Sequence, residues 1–146
     1  MGVSGRVEAV SVSARKGERK RPVESITLVR DSGVAGDAHA GSERQVSLLA
    51  TESVDKLRAK GLTVGPGDLA ENITTRGIAV CALAVGARLK VGAALLEVTQ
   101  IGKQCHEPCV IARQAGECVM PTEGVFARVV VGGEVRPGDA IEVAAG

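Results

Sequence analysis

At 146 residues the chain has the length of one ordinary domain, expected to span 1–146, and 45% apolar residues suffice for a core without disulfide or metal staples. Eighteen basic against seventeen acidic residues leave a formal charge of +1, which argues against a general nucleic-acid surface. With Phe126 standing alone and no Trp or Tyr, no base-stacking platform can be built. Neither a membrane-length apolar run nor the apolar segment of a secretory signal is present. A cytoplasmic protein with reduced thiols is therefore expected.

Loose alternation from Arg6 to Val12 predicts a strand. The polar run Ser13 to Arg21 reads as a loop, with Arg15, Lys16, Arg19, Lys20 and Arg21 expected in solvent or, alternatively, forming one wall of an anion site. Ser25 to Arg30 is a second strand, and Asp31 to Glu43 is loop chemistry, rich in Gly and Asp and holding His39. Gln45 to Leu49 is a short strand. Thr51 to Lys60 is the clearest helix, with Glu52 and Asp55 near its start, Lys56, Arg58 and Lys60 near its end, and Gly61 as a stop. Beyond the turn Gly65-Pro66-Gly67-Asp68, Leu69 to Thr75 alternates weakly. Arg88 to Val91 and Leu95 to Ile101 are strands, Cys105 to Gly116 reads as a loop and short helix, and Val125 to Val131 is a strand. Gly132-Gly133 is a turn and Ala140 to Val143 a last strand. Many short strands, Gly-rich turns and few short helices predict a mainly β fold, a barrel or sandwich. Neither a dinucleotide-binding GxGxxG unit nor a phosphate loop occurs.

Thiol and imidazole chemistry concentrates in Cys105-His106-Glu107-Pro108-Cys109, followed by Cys118. A cysteine acts as nucleophile or soft-metal ligand only as the thiolate, and Lys103 two residues away supplies positive charge that favours it. Cys81, between Val80 and Ala82, reads as an inert apolar residue. Cys105, Cys109 and Cys118 with His106 or His39 would supply four zinc ligands, but no CxxC is present and Cys105 and His106 are adjacent. His39 and Asp37 lie among glycines that let a backbone approach a ligand closely. Arg44, Arg76 and Arg128, with Lys103, would grip a phosphate if they converged.

At these residues the chain resembles the MOSC domain family. Gly36-Asp37-Ala38-His39-Ala40-Gly41 with Arg44 to Leu49 resembles its first block, and Pro66 to Thr75, containing Asn72, its second. Leu96 to His106 resembles the third, which holds the family's cysteine at Cys105; Cys118 to Arg128 with Gly138-Asp139 resembles the fourth. The blocks run in order from about Arg6 to Val143. One departure is Ser42-Glu43, where many relatives carry Trp-His.

The resemblance implies a MOSC-type β-barrel associated with the molybdenum cofactor, a phosphorylated pterin dithiolene. It implies that Cys105 carries sulfur as a persulfide or ligates molybdenum. Lys103, His106, Arg44, Arg128, Asn72, His39 and Asp37 are the residues expected around the cofactor. A pyridoxal-phosphate domain, as in the family's sulfurases, has no room on this chain, so a partner that uses or builds the cofactor is expected. Two alternatives remain open. One is a cofactor-dependent reductase of N-hydroxylated compounds served by an electron donor, since no flavin or iron–sulfur motif is present. The other is a cofactor-free interaction domain. Substrate, oligomeric state and the choice of molybdenum or tungsten are not encoded in any motif.

Overall fold

The computed structural model describes residues 4–15, 19–42, 44–102 and 123–144. Eleven strands occur among them: β1 (Ser4–Val12), β2 (Arg21–Val23), β3 (Ile26–Val29), β4 (Gly33–Val34), β5 (Val46–Ala50), β6 (Ile73–Arg76), β7 (Arg88–Val91), β8 (Ala94–Ile101), β9 (Val125–Val131), β10 (Gly133–Val135) and β11 (Ala140–Val143). One helix, α1 (Thr51–Arg58), follows β5, and a single 3₁₀ turn covers Val80–Ala82.

The large sheet has the order β11-β7-β8-β9-β5-β6-β1-β2, and β11 also pairs with β1, closing seven strands into a barrel. Closure runs through Ser4↔Glu142, Gly5↔Ile141 and Arg6↔Ala140. All pairs in the barrel are antiparallel except β5–β6, whose parallel register sets Leu48 opposite Ile73. The parallel pair needs a crossover, and α1 lies on it. A small sheet, β10-β3-β4, completes the fold.

Burial along β5 explains its composition. Val46, Leu48 and Ala50 point into the barrel with Val7, Val10, Ile73, Leu96 and Val129. Leu49 points the other way, into a second cluster with Val54, Leu57, Val64, Leu69 and Phe126 beneath α1. Both faces of β5 are covered, so the strand reads as a continuous apolar run rather than an alternation. In α1, Val54 and Leu57 are buried and Asp55, Lys56 and Arg58 are exposed. Burying each apolar side chain contributes about 1.5–3 kcal/mol. The helix ends at Arg58 rather than at the expected Lys60, because Lys60 and Gly61 donate to Leu57 and Arg58 in a tightening turn and Gly61 takes φ +88°.

Gly133, expected in a turn, instead opens β10 and pairs with Leu28 of β3. Cys81 is half-buried rather than sealed in the core, against which it packs. Among the described residues no helix is long and apolar enough to cross a membrane.

Candidate functional site

The loop between β4 and β5 is organised around Asp37. Its Oδ1 accepts from the Lys20 ammonium at 2.9 Å and from the Ser13 amide at 3.0 Å, and its Oδ2 accepts from the His39 amide at 3.1 Å. Lys20 also donates to Ser13 Oγ at 3.1 Å, and its Nζ lies 3.3 Å from His39 Nδ1. Both side chains of the Lys20–Asp37 pair are 0% exposed, whereas the His39 side chain is 27% exposed. Burial pushes the Asp37 carboxyl up. The Lys20 ammonium and the amides of Ser13 and His39 outweigh that and hold it below the ordinary carboxylate range.

Lys20 overturns an expectation. It belongs to a basic run expected in solvent, yet it is 2% exposed, because Asp37 and Ser13 draw its ammonium inward. Adjacent charge alone could not single it out from Arg19 and Arg21. The nearest signal is Pro22-Val23, which with Arg21 forms β2 and turns the chain back along β1.

Asn72 lies where β1, β5 and β6 meet. Its Oδ1 accepts from the Ser47 amide at 3.1 Å and the Ser47 hydroxyl at 3.2 Å, and its Nδ2 donates to the Ser11 carbonyl at 3.2 Å. The carboxamide is thus consumed in tying three strands together. Beside it Glu71 is fully buried, with Oε2 accepting from Thr74 Oγ1 at 2.7 Å and Oε1 without a hydrogen-bond partner among the described residues. Desolvation pushes the Glu71 carboxyl above its ordinary range.

Each described arginine expected to grip a phosphate has its own partner. Arg128 Nε donates to Glu97 at 2.8 Å, and Asp31 lies 3.4 Å from its Nη1. Arg76 grips Glu8 through Nε at 2.5 Å and Nη2 at 3.1 Å. The Arg128 guanidinium, and Arg88 more weakly, holds the Glu97 carboxyl below its usual range; Arg76 does the same for Glu8. Arg44 lies over the Phe126 ring, 5.3 Å from its centroid. Arg76 thus sits apart on β1–β6, whereas Arg128 and the Phe126 ring beneath Arg44 lie two residues apart on the same outer face of β9.

Lys103, Cys105, His106, Cys109 and Cys118 fall outside the described residues. The described chain stops at Gly102 and resumes at Glu123. The Gly102 amide donates to the Gly124 carbonyl at 2.6 Å, pinning the end of β8 to the start of β9. Glu123 Oε1 accepts from Ser53 Oγ at 2.8 Å and Lys56 Nζ at 2.7 Å, anchoring this point on α1. Among the described residues no group of three or more His, Cys, Asp and Glu side chains could hold a metal ion.

A family model described as the MOSC domain matches residues 35–142. Among solved structures, the YuaD protein from Bacillus subtilis superposes with a TM-score of 0.83 at 19% identity, covering 96% of this chain and 95% of that one. YiiM from Geobacillus stearothermophilus gives 0.68 at 18% identity, covering 97% of this chain and 75% of its own. YiiM from Escherichia coli gives 0.67 at 19% identity, with 97% and 70% covered. Likeness at this level of identity establishes a shared fold. No curated protein matches the chain significantly in sequence.

Proposed function

Because the chain belongs to the MOSC domain family, we propose that it is a single-domain module that handles the molybdenum cofactor or its sulfur through Cys105, together with a cofactor-using or cofactor-building partner. The observation that carries this reading is the pinned end of β8. The Gly102–Gly124 bond fixes the strand end, and Cys105 follows Gly102 by three residues, a reach of at most about 11 Å. Chain connectivity alone therefore keeps the thiol within that reach of a fixed point on the barrel.

The donor set fits the cofactor in part. Cys105 supplies the soft sulfur that suits molybdenum. Asp37 and Asn72 spend their polar atoms inside the protein, so they shape loops rather than touch a ligand. Arg128 is held by Glu97. That leaves Lys103, Arg44, His106 and His39 to meet the pterin and its phosphate. When bound, the cofactor supplies a metal centre that accepts sulfur or exchanges electrons. The chain's own part is to hold the thiol, favour its ionised form with Lys103, and meet the anionic end with cations and hydrogen-bond donors.

The test is metal and pterin analysis of protein purified from a cofactor-producing host, beside Cys105→Ser. Molybdenum and pterin that accompany the native protein and vanish from the variant support ligation. A persulfide found on Cys105 by intact-mass and peptide mass spectrometry supports sulfur carriage. Neither cofactor nor persulfide on the native protein would refute the proposal in favour of an interaction domain.

A further inference from the structure

We infer that the turn at residues 65–70 is a pH-sensitive strap, closed against the Lys20 backbone while the Glu71 carboxyl is neutral and released when that carboxyl ionises. The inference is independent of the cofactor reading.

Short local bonds shape the turn. The Asp68 amide donates to the Gly65 carbonyl at 3.2 Å, the Gly65 amide to Asp68 Oδ2 at 2.8 Å, and the Ala70 amide to the Gly67 carbonyl at 2.9 Å. The Gly67 carbonyl also accepts from the Lys20 amide at 2.8 Å. A Cβ on Gly67 would stand 2.2 Å from the Lys20 carbonyl oxygen, so turn and Lys20 backbone pack without a gap. Lys20 in turn carries the ammonium bound to Asp37. Ala70 takes φ +66°, a left-handed conformation that an L residue enters only at a cost. Burial of Leu69 in the second apolar cluster offsets that cost on one side. Glu71, on the other side, offsets it only while its own burial is tolerable.

Neutrality makes it tolerable. The Glu71 side chain is fully buried, its Oε2 meets Thr74 Oγ1 at 2.7 Å, and Oε1 has no hydrogen-bond partner among the described residues. In a neutral acid the carboxyl and the hydroxyl satisfy each other across one contact, and the second oxygen is an uncharged carbonyl. A carboxylate would instead strand charge on an oxygen closed off from water. Burial raises the carboxyl above its ordinary range, outweighing Thr74 and the amides of Glu71, Gly67 and Leu69. Charged groups on the surrounding segments are committed elsewhere: Asp68 to Arg19, Lys20 to Asp37, Arg76 to Glu8, Asp55 to Arg58 and Lys56 to Glu123. Because the amides of Gly67 and Leu69 act on the carboxyl, the turn folds around it. Gly65, Pro66, Asp68 and Ala70 are all half-buried, so this one layer of chain is what moves when an ionised Glu71 draws water in. The strap is closed below the ordinary glutamate value of about 4.3 and opens as pH rises through the higher folded value.

Two measurements on the whole chain test this. The ¹³C shift of the Glu71 carboxyl reads its charge, and Glu71→Gln identifies the signal. It is expected to be neutral at about pH 6, where an ordinary glutamate has ionised. Hydrogen exchange reads the strap, comparing the Lys20 amide, bound to Gly67, with the Val7 amide, bound to Asp139 at the barrel seam. As Glu71 titrates, exchange at Lys20 is expected to gain on exchange at Val7 by about tenfold per pH unit. In Glu71→Gln, whose amide copies the neutral acid, the ratio of the two rates is expected to stay constant. A Glu71 already ionised at about pH 6 overturns the inference. So does a wild-type ratio that stays constant up to alkaline unfolding, or one that climbs equally in Glu71→Gln. Should the variant fail to fold, the wild-type ratio decides alone.

Discussion

Replacing Lys20 with Met keeps most of the side-chain volume and removes the charge that Asp37 was buried against. The carboxylate would retain the amides of Ser13 and His39 but lose the Lys20 ammonium, with its side chain 0% exposed. Breaking one partner out of a buried pair costs roughly 3–5 kcal/mol. A domain of this size has about 5–15 kcal/mol in total. With a urea dependence of about 2 kcal/mol per molar, the unfolding midpoint should fall by about 2 M. Adding Asp37→Asn removes the stranded charge while leaving an oxygen for the Ser13 amide, so the double variant should recover part of the loss. The pH dependence has a defined sign. The folded Asp37 carboxyl lies below its ordinary value of about 3.9, so the pair stabilises above that pH and the contribution is lost as pH falls through the folded value. The deficit of Lys20→Met relative to wild type should therefore shrink on acidification. A midpoint shift under about 0.5 M, a loss below about 1 kcal/mol, or a double variant less stable than the single, would refute a buried charge pair as the anchor of this loop.

Glu71→Gln should flatten the pH dependence of stability from another direction. The folded carboxyl is raised by burial, so stability is full below the unfolded value of about 4.3 and falls as pH rises toward the folded value, by up to about 1.4 kcal/mol per pH unit. Urea midpoints across pH 4–7 for both proteins check this, and parallel curves count against it. Gly67→Ala should destabilise far more than Gly36→Ala. Both glycines have positive φ, but the new methyl at Gly67 would stand 2.2 Å from the Lys20 carbonyl oxygen, whereas one at Gly36 would meet no described atom within 4 Å. Expected losses are about 1 kcal/mol for the backbone alone and several times that at Gly67, read from thermal melts.

The strands Arg88–Val91, Val125–Val131 and Ala140–Val143 were legible in the sequence residue for residue, because alternating or β-branched runs are bounded there by Gly and Pro turns. β2 and β4 were not, being three and two residues long and defined by partners far along the chain. The barrel as a closed object was legible only through the family resemblance, since no local pattern encodes Arg6 opposite Ala140. At the candidate site, Asp37 and His39 stood out through their motif, and Asn72 through its block. The burial of Lys20 did not, because a lysine's surroundings depend on which loop folds over it. Nor did the ion pairs of Arg76 and Arg128, whose carboxylate partners sit on neighbouring strands.

Joining segment 4–6 to segment 140–142 has a consequence for how the molecule assembles. Hairpins such as β7–β8 join near neighbours and can form early, whereas the closing seam must wait for a search over almost the full contour of the chain. Until that seam forms, β1 and β11 both present open hydrogen-bonding rims, the surfaces through which partly folded chains stick to one another. Loss of either seam segment should therefore show first as aggregation during refolding.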